Sequence, residues 1–92
     1  MNTVAEESDE SEIIQLEVYK LAMYSMESYA RKFKADGIDK SDMETVFATV
    51  QAAAKNMPTT SDKTSQIKES VIRRFVPAKT AIDNAYRGKV GA

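Results

Sequence analysis

The densest group of potential metal ligands in the chain is residues 36–44, which read DGIDKSDME and hold four carboxylates and one glycine. Calcium prefers such oxygen ligands, and an EF-hand loop places them at positions 1, 3 and 5 with glycine at position 6. If the loop starts at Asp36, the glycine is second and Ile38 is third. The spacing therefore fits a connection between two helices and not a calcium site.

Asp39 and Asp42 could also be a pair for general acid–base catalysis, which needs a shifted pKa and a pocket. A polar turn between helices supplies neither. The chain has no histidine and no cysteine, so imidazole bases, thiolate nucleophiles, disulfides and cysteine-ligated zinc are excluded. Its three glycines are isolated, which leaves no glycine-rich phosphate loop. We expect a non-catalytic protein without cofactor, metal or small-molecule substrate.

The composition is that of one small domain. The 92 residues include 13 basic and 14 acidic side chains, and 42% are hydrophobic. We expect a disordered acidic tail over residues 1–10, one helical domain over residues 11–88, and a short tail over residues 89–92. No apolar run approaches the roughly 20 residues that span a bilayer, and the acidic start differs from a signal peptide. These features predict a cytoplasmic protein that does not bind membranes.

A first helix is predicted from about Ser11 to Lys34, with Gly37 placed to end it in a left-handed conformation and Ile38 to make the apolar contact that follows. Its apolar residues cover about 220° of the helix circumference, whereas a surface helix needs a stripe only a little over 100° wide. Either this helix is the centre of its own bundle, or its second face meets another chain. That face comprises Leu16, Tyr19, Met23, Met26 and Ala30.

The tyrosines and methionines of the first helix favour partner contact at some positions and core packing at others. Met26 and Tyr29 are expected in the core. For Tyr19 and Met23, core and interface remain open alternatives. Tyr24 falls on the polar face, where an exposed tyrosine is suited to contact a partner.

A second helix is predicted from a capping box formed by Ser41 and Glu44, and it should end before Pro58. A third should start near Ser61 or Asp62. Its apolar register continues across Pro77, which favours one long helix kinked there; a new helix beginning at Pro77 is the alternative. Gly88 is the expected end. The predicted fold is all-α: a small antiparallel bundle with a long helix, a short helix, and a long helix kinked or broken at Pro77.

Charge is divided unevenly along the chain. Residues 1–46 hold 5 basic and 11 acidic residues, a net charge of −6, whereas residues 47–92 hold 8 basic and 3 acidic residues, a net charge of +5. The C-terminal bases scatter around the third helix, which is typical of a solvated surface. Phosphate binding would need them on one face, so a nucleic-acid-associated module is the alternative function. It would use Arg73, Arg74, Lys79, Arg87 and Lys89.

The favoured function is protein binding. We expect a subunit, adaptor or inhibitor that docks on a larger assembly or self-associates through the first helix, as small helical proteins of phages and other mobile elements do. Its wide apolar arc and the charge asymmetry indicate an apolar contact with a charged rim. The candidate partner-binding residues are Leu16, Tyr19, Met23, Tyr24, Arg73, Arg74, Lys79 and Arg87.

Overall fold

The computed structural model describes the backbone of residues 3–87 and the side chains of residues 9–87. This part of the chain is helical and holds no strand, which confirms the prediction of an all-α fold. Gly88, Lys89 and the predicted C-terminal tail lie outside the described residues. The helices are α1 (Thr3–Ala35), α2 (Lys40–Asn56), α3 (Asp62–Arg73) and α4 (Phe75–Arg87).

The first helix, α1, begins at Thr3, earlier than the start predicted near Ser11. Residues 3–10 contain no proline or glycine, and their four acids favour the positive end of a helix. The predicted end is confirmed. Gly37 has a φ of 97°, its N–H donates to the Lys34 carbonyl (3.0 Å), and the Ile38 N–H donates to the Phe33 carbonyl (3.1 Å). Two carbonyls that a helix end leaves unpaired are thus satisfied.

The capping box predicted at the start of α2 is wrong. The N-cap is Asp39, whose backbone is already extended (φ −71°, ψ 153°), and its side chain makes no capping hydrogen bond. Ser41 therefore lies inside the first turn, where its carbonyl accepts a hydrogen bond from the Thr45 hydroxyl. Glu44 forms an ion pair with Lys40 (3.9 Å) instead of reaching back to Ser41. The predicted end of the helix before Pro58 is confirmed.

A capping box is present at the start of α3, which confirms the predicted start. The Ser61 hydroxyl accepts a hydrogen bond from the Thr64 N–H (3.1 Å), and the Thr64 hydroxyl accepts one from the Ser61 N–H (3.2 Å). The sequence does not predict this box, because the usual pattern has a glutamate or glutamine three residues after the cap. Here a threonine performs that role, and its side chain is fully buried.

The last two helices are separated at Arg74, three positions before Pro77, so the kink or break predicted at the proline is not confirmed. Pro77 is the third residue of α4 and lies in its first turn, where a backbone N–H has no partner within the helix. The apolar register does persist across the break, as predicted. Its buried residues are Val71, Phe75, Ala78, Ile82 and Ala85.

The core is built around α1, which contacts the three other helices and contacts α4 most extensively. Phe47 of α2 meets Phe75 of α4 edge to face, with ring centroids 6.3 Å apart. No helix among the described residues is long and apolar enough to cross a membrane. From α1, the buried core residues are Leu16, Met23, Met26 and Ala30, whereas Tyr29, also predicted in the core, is 54% exposed.

The two serines provide a matched stability test. We expect Ser61→Ala to lower the free energy of unfolding by about 0.5–2 kcal/mol, because the Thr64 N–H loses its capping acceptor. Ser41→Ala should change it by less than about 0.5 kcal/mol, because that exposed side chain caps nothing. Urea unfolding of both variants measures the difference, and equal effects would contradict the assignment of the caps.

Candidate functional site: an exposed apolar stripe on α1

Three aliphatic side chains of α1 point into solvent. Ile14, Val18 and Leu21 are 64%, 54% and 63% exposed. Serines that are also exposed continue the row in both directions. Such a contiguous row differs from single exposed apolar residues, which need no explanation, because extended apolar patches mark interaction sites. We call this row the α1 stripe; its members are Ser11, Ile14, Val18, Leu21, Ser25 and Ser28.

The face of α1 predicted to meet another chain is the one that the bundle buries. Leu16 and Met23 are completely buried in the core of their own chain, and Tyr19 is half-buried against it. The assignment of Leu16 and Met23 to a partner surface is therefore wrong. Periodicity gives the width of the apolar arc, but it does not say which half of a wide arc the neighbouring helices cover.

One flank of the α1 stripe is held by charge and aromatic contacts with the α3–α4 junction. Glu27 forms an ion pair with Arg74, and the Arg74 guanidinium lies 4.4 Å from the ring centroid of Tyr24. Such a cation over an aromatic face is attracted by the ring quadrupole. Tyr24, predicted as a partner contact, is 43% exposed and also holds Arg74 in place.

The other flank opens into an apolar groove between α1 and α2, with a volume of about 270 Å³. On the α2 side it is bordered by Val46, which is half exposed. Ser25 belongs both to the groove and to the α1 stripe, so the two surfaces are continuous. The groove is lined by Ala22, Ser25, Met26, Phe33, Ile38, Met43 and Val46.

The candidate basic residues do not gather into one patch. Arg73 pairs with Glu69 (3.7 Å) and Lys79 pairs with Asp83 (3.4 Å), each within one helix. Arg87 is exposed at the end of α4. Among the described residues, no group of three or more acidic side chains is placed to hold a metal ion.

Near its N-terminal part, α1 is joined to the start of α3 through Glu12. Its carboxylate accepts hydrogen bonds from the Thr60 N–H (3.1 Å) and the Thr60 hydroxyl (2.9 Å). The backbone hydrogen bond is the main reason that the pKa of Glu12 lies below its ordinary value of 4.5.

The opposite end is joined through Tyr86 of α4. Its hydroxyl donates to the Ile38 carbonyl (2.7 Å), and Lys34 lies 5.9 Å from its ring centroid and donates to the Ala85 carbonyl. Burial, together with the negative charges of Asp39 and Asp42, raises the pKa of Tyr86. The two aspartates considered for catalysis thus lie close enough to Tyr86 to disfavour its ionised form.

Relatives supply no function for this chain, because comparisons with protein-family models, curated proteins and solved structures gave no match. The candidate site is therefore defined by exposure and geometry. Sequence reasoning missed Ile14, Val18 and Leu21 as surface residues, although all three belonged to the wide arc it identified. The available signal was the arc itself, which is too wide for one buried face.

Two leucines on opposite faces of α1 test the assignment of these faces. We expect Leu16→Ala to lower the free energy of unfolding by about 2–5 kcal/mol, because it leaves a cavity in the core. Leu21→Ala should change it by less than about 1 kcal/mol in dilute protein, because an exposed side chain leaves no cavity. Chemical unfolding of each variant gives the values, and a larger loss for Leu21→Ala would reverse the assignment.

Acid titration tests the contact between Glu12 and Thr60. Because the pKa of Glu12 is lower in the folded chain, its stabilising effect is complete above the unfolded pKa and is lost as the pH falls through the folded pKa. We therefore expect stability to fall below about pH 4.5 partly through this group. The variant Glu12→Gln should be less stable than the parent at pH 7, and its free energy of unfolding should fall less on acidification. If the free energies of unfolding of both proteins fell equally with pH, the contact would be contradicted.

Proposed function

We propose that the chain is a non-catalytic protein-binding module whose binding surface is the α1 stripe. It acts as a subunit, adaptor or inhibitor on a protein assembly, or by self-association. The observation that carries the proposal is the exposure of Ile14, Val18 and Leu21 side by side on one helix. Covering aliphatic side chains removes apolar area from water, which contributes roughly 25 cal/mol per Å² before the costs of association.

The flanks of the α1 stripe supply what a binding surface needs around an apolar centre. Tyr24 offers a partly exposed ring with a polar tip, and Arg74 is held beside it by Glu27. Enrichment in tyrosine and arginine is characteristic of protein interfaces. Of the candidate residues identified from sequence, Tyr24 and Arg74 are thus suited to the rim, whereas Arg73, Lys79 and Arg87 would act through the general charge of the C-terminal half.

The proposal includes the antiparallel course of the bundle, with α2 returning along α1, and a bend of the chain at the α3–α4 junction before Pro77. It also places the function in the cytoplasm. In this arrangement α2 and the α3–α4 segment cover neighbouring sides of α1. The α1 stripe then lies on the side left open.

Nucleic-acid binding is the second candidate, favoured by the net charge of +5 in residues 47–92. Phosphate contacts need free cations on one face. The ion pairs of Arg73, Arg74 and Lys79 with acids of the same chain weaken this candidate. An apolar interface should persist at about 0.5 M salt, whereas phosphate binding should be lost.

The direct test is photo-crosslinking in the cells that express the chain. A benzophenone amino acid replaces Val18 in the α1 stripe, and in the control it replaces Gln66, an exposed residue of α3. We expect protein adducts from position 18 and few from position 66. In lysate, the adducts from position 18 should form as well at about 0.5 M salt as at low salt.

Two results would contradict the proposal. Absence of protein adducts from position 18 would show that the α1 stripe is not a binding surface. Adducts with nucleic acid that disappear in salt would favour the second candidate. Adduct mass also distinguishes a second copy of the chain from a different protein.

A further inference from the structure

We propose that the α1 stripe binds the α1 stripe of a second copy of this chain, with the two helices antiparallel across a two-fold axis. The inference rests on the proposed function, since it names the partner of the same surface. It is carried by the spacing of the exposed residues and by the charges beside them.

The spacing is that of a coiled-coil seam. Successive members of the α1 stripe are separated by three, four, three, four and three residues, an average close to the 3.5 residues at which helices pack side by side. On the opposite face, Leu16, Met23 and Ala30 are buried within the chain and repeat every seven residues. Thus α1 carries two heptad-spaced faces, and the bundle covers one of them.

An antiparallel pair brings these residues together in matched layers. With the axis between Val18 and Leu21, Val18 of each copy lies opposite Leu21 of the other. Ile14 then lies opposite Ser25, and Ser11 opposite Ser28. The aliphatic side chains therefore occupy the centre and the serines the ends. Non-helical dihedral angles at Tyr29 (φ −118°, ψ 16°) bend α1 just after the seam, which limits its length.

Charge favours this orientation over the parallel one. In the antiparallel register, Glu10 at one end of the seam meets the end of the other copy that carries Arg31, two residues beyond the bend, and the symmetry forms this approach twice. Both residues are exposed, and neither belongs to an ion pair among the described side chains. A parallel pair would place Glu10 beside Gln15 and bring the two acidic N-terminal segments together. Both charges of this pair belong to α1, so two copies of the same helix are enough to form it.

Cysteine trapping tests both the contact and its direction, because the chain has no cysteine of its own. The variants Ser11→Cys and Ser28→Cys keep all three aliphatic residues. We expect a mixture of the two to form a dimer with a short bis-maleimide, whereas either variant alone stays monomeric. In the antiparallel pair, the two copies of position 11 are about 25 Å apart along the axis.

The control is Ser41→Cys, at an exposed serine of α2 away from the α1 stripe, mixed with either variant. Sedimentation from about 1 µM to 1 mM should show dimer in the parent chain and monomer in Leu21→Lys. Circular dichroism checks that each variant keeps its helices.

Each remaining outcome overturns the inference. Cross-linking of Ser11→Cys alone would indicate a parallel pair, and no cross-linking above the control would show that the copies do not pair here. If position 18 nevertheless captures a different protein in cells, the proposed function stands and only the self-pairing fails. Failure of the proposed function is recognised separately, by the absence of any protein adduct from position 18.

Discussion

The structure depends on one constraint: α1 carries more apolar circumference than three short helices can cover. Its buried face, centred on Leu16 and Met23, supplies the core that holds α2, α3 and α4 together. Each of these three helices has a single buried face directed to that core. The remaining aliphatic residues of α1 have no place inside the chain, so Ile14, Val18 and Leu21 remain in solvent.

Polar contacts reinforce the packing that turns one face of α1 inward. Glu12 accepts hydrogen bonds from Thr60, Glu27 pairs with Arg74, and Lys34 donates to the Ala85 carbonyl. These contacts occur at intervals along α1 and join it to α3, to the α3–α4 junction and to α4 in turn. Rotation of α1 about its axis would break all of them, so they add to the burial of Leu16 and Met23 in keeping the α1 stripe exposed.

The all-α fold, the end of α1 at Gly37 and the continuity of the apolar register across Pro77 could be predicted because they depend on local chemistry. The choice between the two apolar faces of α1 could not, since Leu16 and Leu21 are the same residue type and only their tertiary neighbours distinguish them. The cap of α2 was misplaced for a related reason. Ser41 and Glu44 have the right spacing, but the extended backbone of Asp39 starts the helix two residues earlier. For the candidate site, sequence identified the helix and Tyr24, and the structure identified the surface.

The central claim is that the α1 stripe of one copy covers the α1 stripe of another, which methyl NMR tests directly. Spectra of the parent chain are compared between concentrated and dilute samples. The account predicts that the methyl signals of Ile14, Val18 and Leu21 shift with concentration, whereas those of Leu16 and Ile82, both fully buried, stay in place. The account would be contradicted if the methyl signals of the α1 stripe stayed unchanged up to about 1 mM protein.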